Sequence, residues 1–205
     1  MARAGRRHRG SSTFSPRARL RFTSASAAWR FATATRRDVV LKAVARVGAR
    51  AVLGSGWGGL ARGSLPPFVF AIDEAPHDWL VPRMAAIVHH GGAGTTGAAI
   101  RAGKPSVVTP FIADQFAWAR LLDARGLAPA PLPHRTVNAD TLAAAIKTAL
   151  HDAAMSERAK AIGAAVRAEN GLFRAVEAIE RSTGKNRLRY RGRLRGFSHP
   201  GAAEL

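Results

Sequence analysis

"AAIVHHGGAGTTGAAIRAGKPSVVTPF" spans residues 85–111. It begins with a short apolar run, 85–90, that reads as a buried strand. A glycine-rich turn follows, and then an alanine-rich helix from about Gly94 to Ala102. "PSVVTPF" (105–111) is a second apolar strand. Strand, helix and strand within 27 residues make a parallel βαβ unit, because a crossover that long joins parallel rather than antiparallel strands.

Similar signals extend outward. "RDVVLKAVARVGAR" (37–50) has apolar residues at helical spacing, and "AVLGSG" (51–56) and "PFVFAI" (67–72) read as strands. "ADQFAWARLLDARG" (113–126) reads as a helix stopped by Gly126, and "LAPAPLP" (127–133) as an edge strand. "NADTLAAAIKTAL" (138–150) is helical, capped at Asn138 or Asp140, and two more helical stretches lie near 152–168 and 171–181. Alternating strands and helices predict a Rossmann-like, doubly wound α/β domain with a parallel sheet covered on both faces.

Charge separates this domain from its flanks. The 205-residue chain carries a formal net charge of +19. Residues 1–37 hold ten arginines and no acid, and 185–205 hold six basic residues and one acid, Glu204. The middle is nearly balanced, as in an ordinary globular domain. Three segments are therefore expected: a basic flank 1–37, a domain 38–182 and a basic tail 183–205, with the ends disordered. Without cysteine there is neither a disulfide framework nor a thiolate metal site. No apolar run is long enough to span a membrane. The expected location is cytoplasmic.

The glycine turn invites an anion. A helix N-terminus offers free amides and the positive end of the helix dipole, and glycines let a ligand approach the backbone. Thr95 and Thr96 would add hydroxyl donors, and a histidine at the strand end can donate to a phosphate oxygen. A tight turn with a packed histidine is the plainer alternative. Gly92, Gly94 and Gly97 also satisfy G-x-G-x-x-G, with Asp114 twenty residues beyond Gly94, so a dinucleotide site is a rival. "PFIADQ" (110–115) places a carboxylate beside an amide at the rim of the sheet, a pairing that suits sugar hydroxyls. A helix cap at Asp114 is the alternative there.

"SGWGGL" (55–60), "APHDWLVPRMAAIVHHGGAGTTGAAIRAGKPSVVTPFIADQFAWARLL" (75–122) and the helical stretch to about 181 resemble the carboxyl-terminal half of GT-B fold glycosyltransferases. The resemblance is to the sterol 3-beta-glucosyltransferase type and its macrolide and glycopeptide antibiotic relatives. It implies one domain of a two-domain enzyme, a UDP-dependent hexosyltransferase whose carboxyl-terminal half holds a UDP-sugar as co-substrate without a metal. It implies that Ala75 and His77 lie near uracil and ribose. His90, Gly94 and Thr95 would hold the diphosphate, with Ala93 lining the loop, and Asp114 and Gln115 would bind sugar hydroxyls. Ser55 and Trp57 are candidates for the base pocket. Plant relatives carry a ribose-binding glutamate where this chain has Ala98. His89 should point away from His90 by strand alternation and be structural. Trp79 and Trp118 are expected to be packing residues.

The resemblance further implies inverting transfer to a small hydrophobic acceptor, a lipid, sterol or polyketide-type hydroxyl. The general base is expected in an amino-terminal domain, so this chain is expected to bind donor without transferring sugar. The family places a strand and glycine turn just before the helix near residue 38, where this chain has "FTSASAAWRF" (22–31). Read across codon boundaries, Thr23 to Trp29 can spell His-Val-Gly-Phe-Gly-Ser-Met, so residues 1 to about 35 are expected to be an out-of-frame reading. That arginine-rich, acid-free flank would also suit an organelle transit peptide or a nucleic-acid arm. The tail "GKNRLRYRGRLRG" (184–196) suits RNA or an anionic membrane surface as a peripheral contact. No specific nucleic acid is expected as a partner.

Overall fold

The computed structural model describes residues 22–25, 34–54, 64–72 and 75–183. Ser55, Trp57, most of the basic flank and the tail from 184 lie outside the described residues. The strands are β1 (Phe22–Ala25), β2 (Arg50–Gly54), β3 (Val69–Ile72), β4 (Ala86–His89) and β5 (Ser106–Val108). The helices are α1 (Ala34–Val47), α2 (His77–Leu80), α3 (Ala93–Ala102), α4 (Gln115–Ala124), α5 (Ala139–His151), α6 (Ala153–Ala168) and α7 (Gly171–Thr183). A 3-10 turn, Val81–Arg83, joins α2 to β4.

Every strand pair is parallel and the order is β3-β2-β1-β4-β5. This is the doubly wound order, whose switch point lies between β1 and β4. β1 is a strand that charge and periodicity did not locate. It falls where the resemblance expected a strand, and it joins β2 to β4, which would otherwise stand about 10 Å apart with open edges.

Strand alternation divides the core. Ala51, Leu53, Ala86, Val88 and Val107 face one side and pack with Val40, Ala43 and Val44 of α1 and Leu142 and Ile146 of α5. Val52 and Ile87 face the other side, against Leu80, Val81, Met84 and Ala99. Val108 meets Ala119 and Leu122 of α4 and Ala159 of α6. Both faces are therefore dry, which is why the strands read as unbroken apolar runs rather than alternating ones.

Local chemistry sets the helix ends. Asn138 caps α5: its side chain accepts from the amides of Asp140 and Thr141 at 2.9 Å, and Thr141 Oγ1 accepts from the Asn138 amide. Gly103 ends α3 at φ 67°, a left-handed conformation that glycine adopts without a Cβ clash. It also lies against α6, where a Cβ on Gly163 would come within 2.7 Å of Gly103 Cα and of the Ile100 carbonyl oxygen.

Residues 127–133 do not form the expected strand, although they cover the edge of β5. Leu132 N donates to Val108 O at 3.0 Å and His134 N to Pro110 O at 3.1 Å, while Ser106 N donates to Leu127 O at 2.9 Å. Pro129, Pro131 and Pro133 lack an amide hydrogen, so the segment is starved of ladder donors and offers few to a further strand. The chain divides into compact units at residue 164. The second contains α7, on which Leu172, Phe173 and Ile179 are exposed.

Candidate functional site

Because all five strands run the same way, whatever follows each of them emerges at one edge of the sheet. Ala75 and His77 follow β3, residues 90–95 follow β4, and 110–115 follow β5. Segments far apart in sequence thus gather beyond the carboxyl ends of the strands, where open α/β sheets bind ligands.

The turn after β4 is built on His89 and Gly91. His89 is fully buried, in keeping with the structural role expected of it, and its Nδ1 accepts from Gly91 N at 3.1 Å. Burial, reinforced by the charges of His90 and His77, lowers its pKa to about 3, so the ring is neutral. Gly91 has φ 89°, and a Cβ there would meet Val108 Cγ1 at 2.9 Å and the Gln115 carbonyl oxygen at 3.0 Å. The glycine lets the turn close against the start of α4.

α3 then begins with an open end. Gly92 is its N-cap, no side chain caps it, and the first helical bond is Thr96 N to Gly92 O at 3.0 Å. The amides of Ala93, Gly94 and Thr95 therefore precede the helical ladder. Ala93 and Gly94 are accessible, and a Cβ on Gly94 would meet nothing within 4 Å. An anion can reach this backbone. Thr95 is 8% exposed, so its amide rather than a projecting hydroxyl is its main offering. Thr96 is fully buried, with Oγ1 lacking a partner among the described residues, so it is not the second hydroxyl donor expected from the sequence.

His90 stands beside this end, half-buried. Its Nε2 lies where a Cβ on Gly92 would approach too closely for van der Waals contact, and its Nδ1 has no hydrogen-bond partner among the described residues. Burial lowers its pKa, and the nearby Asp114 carboxylate opposes that shift. His90 and Asp114, 24 positions apart, are thus electrostatic neighbours.

Asp114 occupies the N-cap of α4, yet its side chain makes no capping bond. The residue is therefore not the helix cap that its position suggested, and the carboxylate is exposed at the rim. Gln115 differs from expectation. Its Oε1 accepts from Phe111 N at 2.8 Å and Ile112 N at 3.2 Å, so only its NH2 group remains to contact a ligand. The side-chain amide suited to sugar hydroxyls thus offers them its NH2 alone, because two amides of its own loop occupy the carbonyl. Ala75 is partly buried against the α2–α3 face, and Ala98 packs there too. His77 is exposed at the start of α2. Trp79 is not a packing residue: it is 54% exposed, with the Arg83 guanidinium 4.4 Å above its ring.

Two contributors carry no signal in the sequence. The His134 ring stacks on Phe111 with centroids 4.5 Å apart, and its Nδ1 donates to Pro110 O at 3.2 Å. Ala113 adopts φ 49°, a left-handed conformation uncommon outside glycine. His134 belongs to no motif, and Ala113, although inside the 110–115 stretch, is a residue type that does not announce a left-handed turn. Only the three prolines before His134 hint that this segment hugs an edge.

Among the described residues no group of three or more His, Cys, Asp or Glu side chains could hold a metal. No described helix is long and apolar enough to cross a membrane.

Known proteins resemble this chain in sequence and in fold. A sterol 3-beta-glucosyltransferase of Arabidopsis thaliana is 39% identical over 143 residues, 69% of this chain and 22% of the relative. O-mycaminosyltylonolide 6-deoxyallosyltransferase of Streptomyces fradiae is 46% identical over 118 residues, 58% of this chain and 28% of the relative. The chain thus spans about a quarter of the length of these relatives. Among solved structures, the glycotransferase of kitacinnamycin superposes with a TM-score of 0.72 at 27% identity, covering 87% of this chain and 47% of that one. Glycosyltransferase VinC in complex with dTDP gives 0.58 at 30% identity, covering 69% and 35%. Arabidopsis thaliana UGT89C1 complexed with UDP-L-rhamnose gives 0.60 at 17% identity, a likeness of fold, covering 76% and 40%. The model of the erythromycin biosynthesis protein CIII-like C-terminal domain matches residues 38–172, and the chain belongs to that family, with the GT-B half-fold of its glycosyltransferase neighbours.

Proposed function

We propose that this domain binds a nucleoside diphosphate sugar at the carboxyl edge of its sheet. One observation carries the proposal: the uncapped, accessible start of α3 lies beside His90, with Asp114 and Gln115 next to it. The amides of Ala93, Gly94 and Thr95 face the pyrophosphate, assisted by the helix dipole. His90 donates a ring N–H to a phosphate oxygen. The Asp114 carboxylate accepts from a sugar hydroxyl, and the Gln115 NH2 donates to a sugar oxygen. Ala75 and His77 flank the base and ribose, with Ser55 and Trp57 on the segment after β2.

In a two-domain transferase of this type the same groups would stabilise the nucleoside diphosphate as it leaves, while a lipid, sterol or polyketide-type hydroxyl attacks the anomeric carbon with inversion. Amides and an imidazole stabilise the leaving diphosphate by hydrogen bonds, and in this reading the donor is held by them without a metal. We assign no catalytic base among the described residues. The role proposed for the described residues is donor binding.

Calorimetric titration with UDP, dTDP and NAD tests the proposal. Saturable binding of UDP or dTDP that is lost in His90→Ala is the expected result. NAD binding in their place would overturn it in favour of a dinucleotide site.

A further inference from the structure

The sheet stops supporting the chain at Thr109, whose amide makes the last ladder bond, to His89 O at 2.9 Å. Beyond it, residues 110–115 carry the sugar-facing pair. Pro110 donates nothing, Ala113 sits at φ 49°, and the Asp114 side chain does not cap its helix. A non-glycine residue in that conformation is strained and persists only where the surroundings hold it. Contacts from two places hold this loop. From within, Gln115 Oε1 gathers the Phe111 and Ile112 amides. From outside, His134 grips Pro110 O with both its backbone amide, at 3.1 Å, and its ring Nδ1, at 3.2 Å. The same ring lies flat on Phe111, 11° from parallel.

The chain of contacts is continuous. The imidazole fixes Pro110 O and the Phe111 ring. Phe111 in turn presents its amide to Gln115 Oε1. Both lone pairs of that oxygen are used, so the Gln115 amide cannot rotate to exchange its oxygen for its nitrogen without losing two hydrogen bonds. The outcome is a fixed polarity at the rim, with NH2 from Gln115 and carboxylate from Asp114.

We infer that His134 is a positioning residue for the sugar-binding loop, setting the discrimination between a nucleotide sugar and the bare nucleotide without touching either. The inference rests on the donor-binding function proposed above. It assigns His134 a share of sugar recognition and none of pyrophosphate recognition, because α3 and His90 hang from β4 rather than from residues 127–134.

The test is the ratio of two dissociation constants, for UDP-glucose and for UDP, in the wild-type chain and in His134→Ala, with the dTDP pair used instead if dTDP is the nucleotide taken. In His134→Ala the ratio should shift against the sugar by about fivefold or more, the loss of one ordinary hydrogen bond. UDP affinity should stay within about twofold, because no pyrophosphate contact changes. His134→Phe restores the stack and should recover part of the ratio. Should His134→Ala not fold, His134→Gln removes the stack at similar volume and carries the same comparison. A ratio unchanged in a wild-type-like binder, or equal weakening of both ligands, overturns the positioning role and leaves the donor site standing. Wild-type chain that binds neither UDP nor dTDP overturns the donor site and this inference with it.

Discussion

Acidification should weaken this domain chiefly through His89. Its ring is fully buried and its pKa is depressed to about 3 from 6.5. The folded chain therefore refuses a proton that the unfolded chain accepts, so lowering the pH favours unfolding. The penalty starts as pH falls below 6.5, the unfolded value, and grows until the folded ring itself protonates near 3. From the two values it is about 0.2 kcal/mol at pH 7 and about 2 kcal/mol at pH 5. The figure at pH 5 depends on the unfolded pKa alone, provided the folded value lies well below 5. Against a typical stability of roughly 5–15 kcal/mol this is a large fraction. Urea unfolding at pH 7 and pH 5, followed by circular dichroism, should show it as a midpoint shift of about 1 M for a slope near 2 kcal/mol per M. The comparison that isolates it is His89→Asn, whose Oδ1 can take the place of Nδ1 toward Gly91 N. That variant loses ring volume and should cost about 1–3 kcal/mol at pH 7. Its further loss between pH 7 and pH 5 should be smaller than wild type by about 2 kcal/mol. Groups that behave alike in the two proteins cancel in this comparison, which leaves the contribution of the His89 ring. Equal losses in the two proteins would refute the claim that His89 stays neutral in the fold.

Three further outcomes are expected. Gly94→Ala should stabilise α3 by up to about 1 kcal/mol, since its Cβ meets open space, yet weaken UDP binding by about tenfold or more where the pyrophosphate needs the bare backbone; normal affinity in thermal-shift and calorimetric assays would show that the ligand lies elsewhere. Binding of UDP-glucose should tighten as pH falls from 7.5 to 6, by less than about tenfold per unit, because the depressed pKa of His90 rises beside two phosphates and binding takes up a proton; buffer-dependent calorimetric enthalpy reports that proton, and His90→Gln should abolish it. Gly163→Ala should cost about 1–3 kcal/mol or more, because backbone of Gly103 and Ile100 blocks the new methyl group, and an unchanged urea midpoint would show that α6 is not pressed onto α3.

The local pattern of residues 85–126 determined a great deal. Apolar runs between glycine turns are enough to specify buried parallel strands, since only dry faces on both sides require them. The glycines of 91–94 marked a backbone that stays accessible at Ala93 and Gly94, and strand alternation set His89 apart from His90. Sequence spacing could not determine what lies across space. His134 meets Pro110 and Phe111 because the proline-spaced segment runs along β5, a contact between residues 24 positions apart that no period encodes. Gln115 loses its acceptor because its side chain folds back onto two amides of its own loop, a choice made by the loop's conformation. Thr96 turns into the core rather than the turn because α3 rests that side on the sheet. β1 was hidden in an arginine-rich flank, because a four-residue strand is held by neighbours on both sides rather than by its own composition. Local chemistry decided which backbone stays uncapped and accessible. Packing between distant segments decided which side chains stand beside it and which way they point.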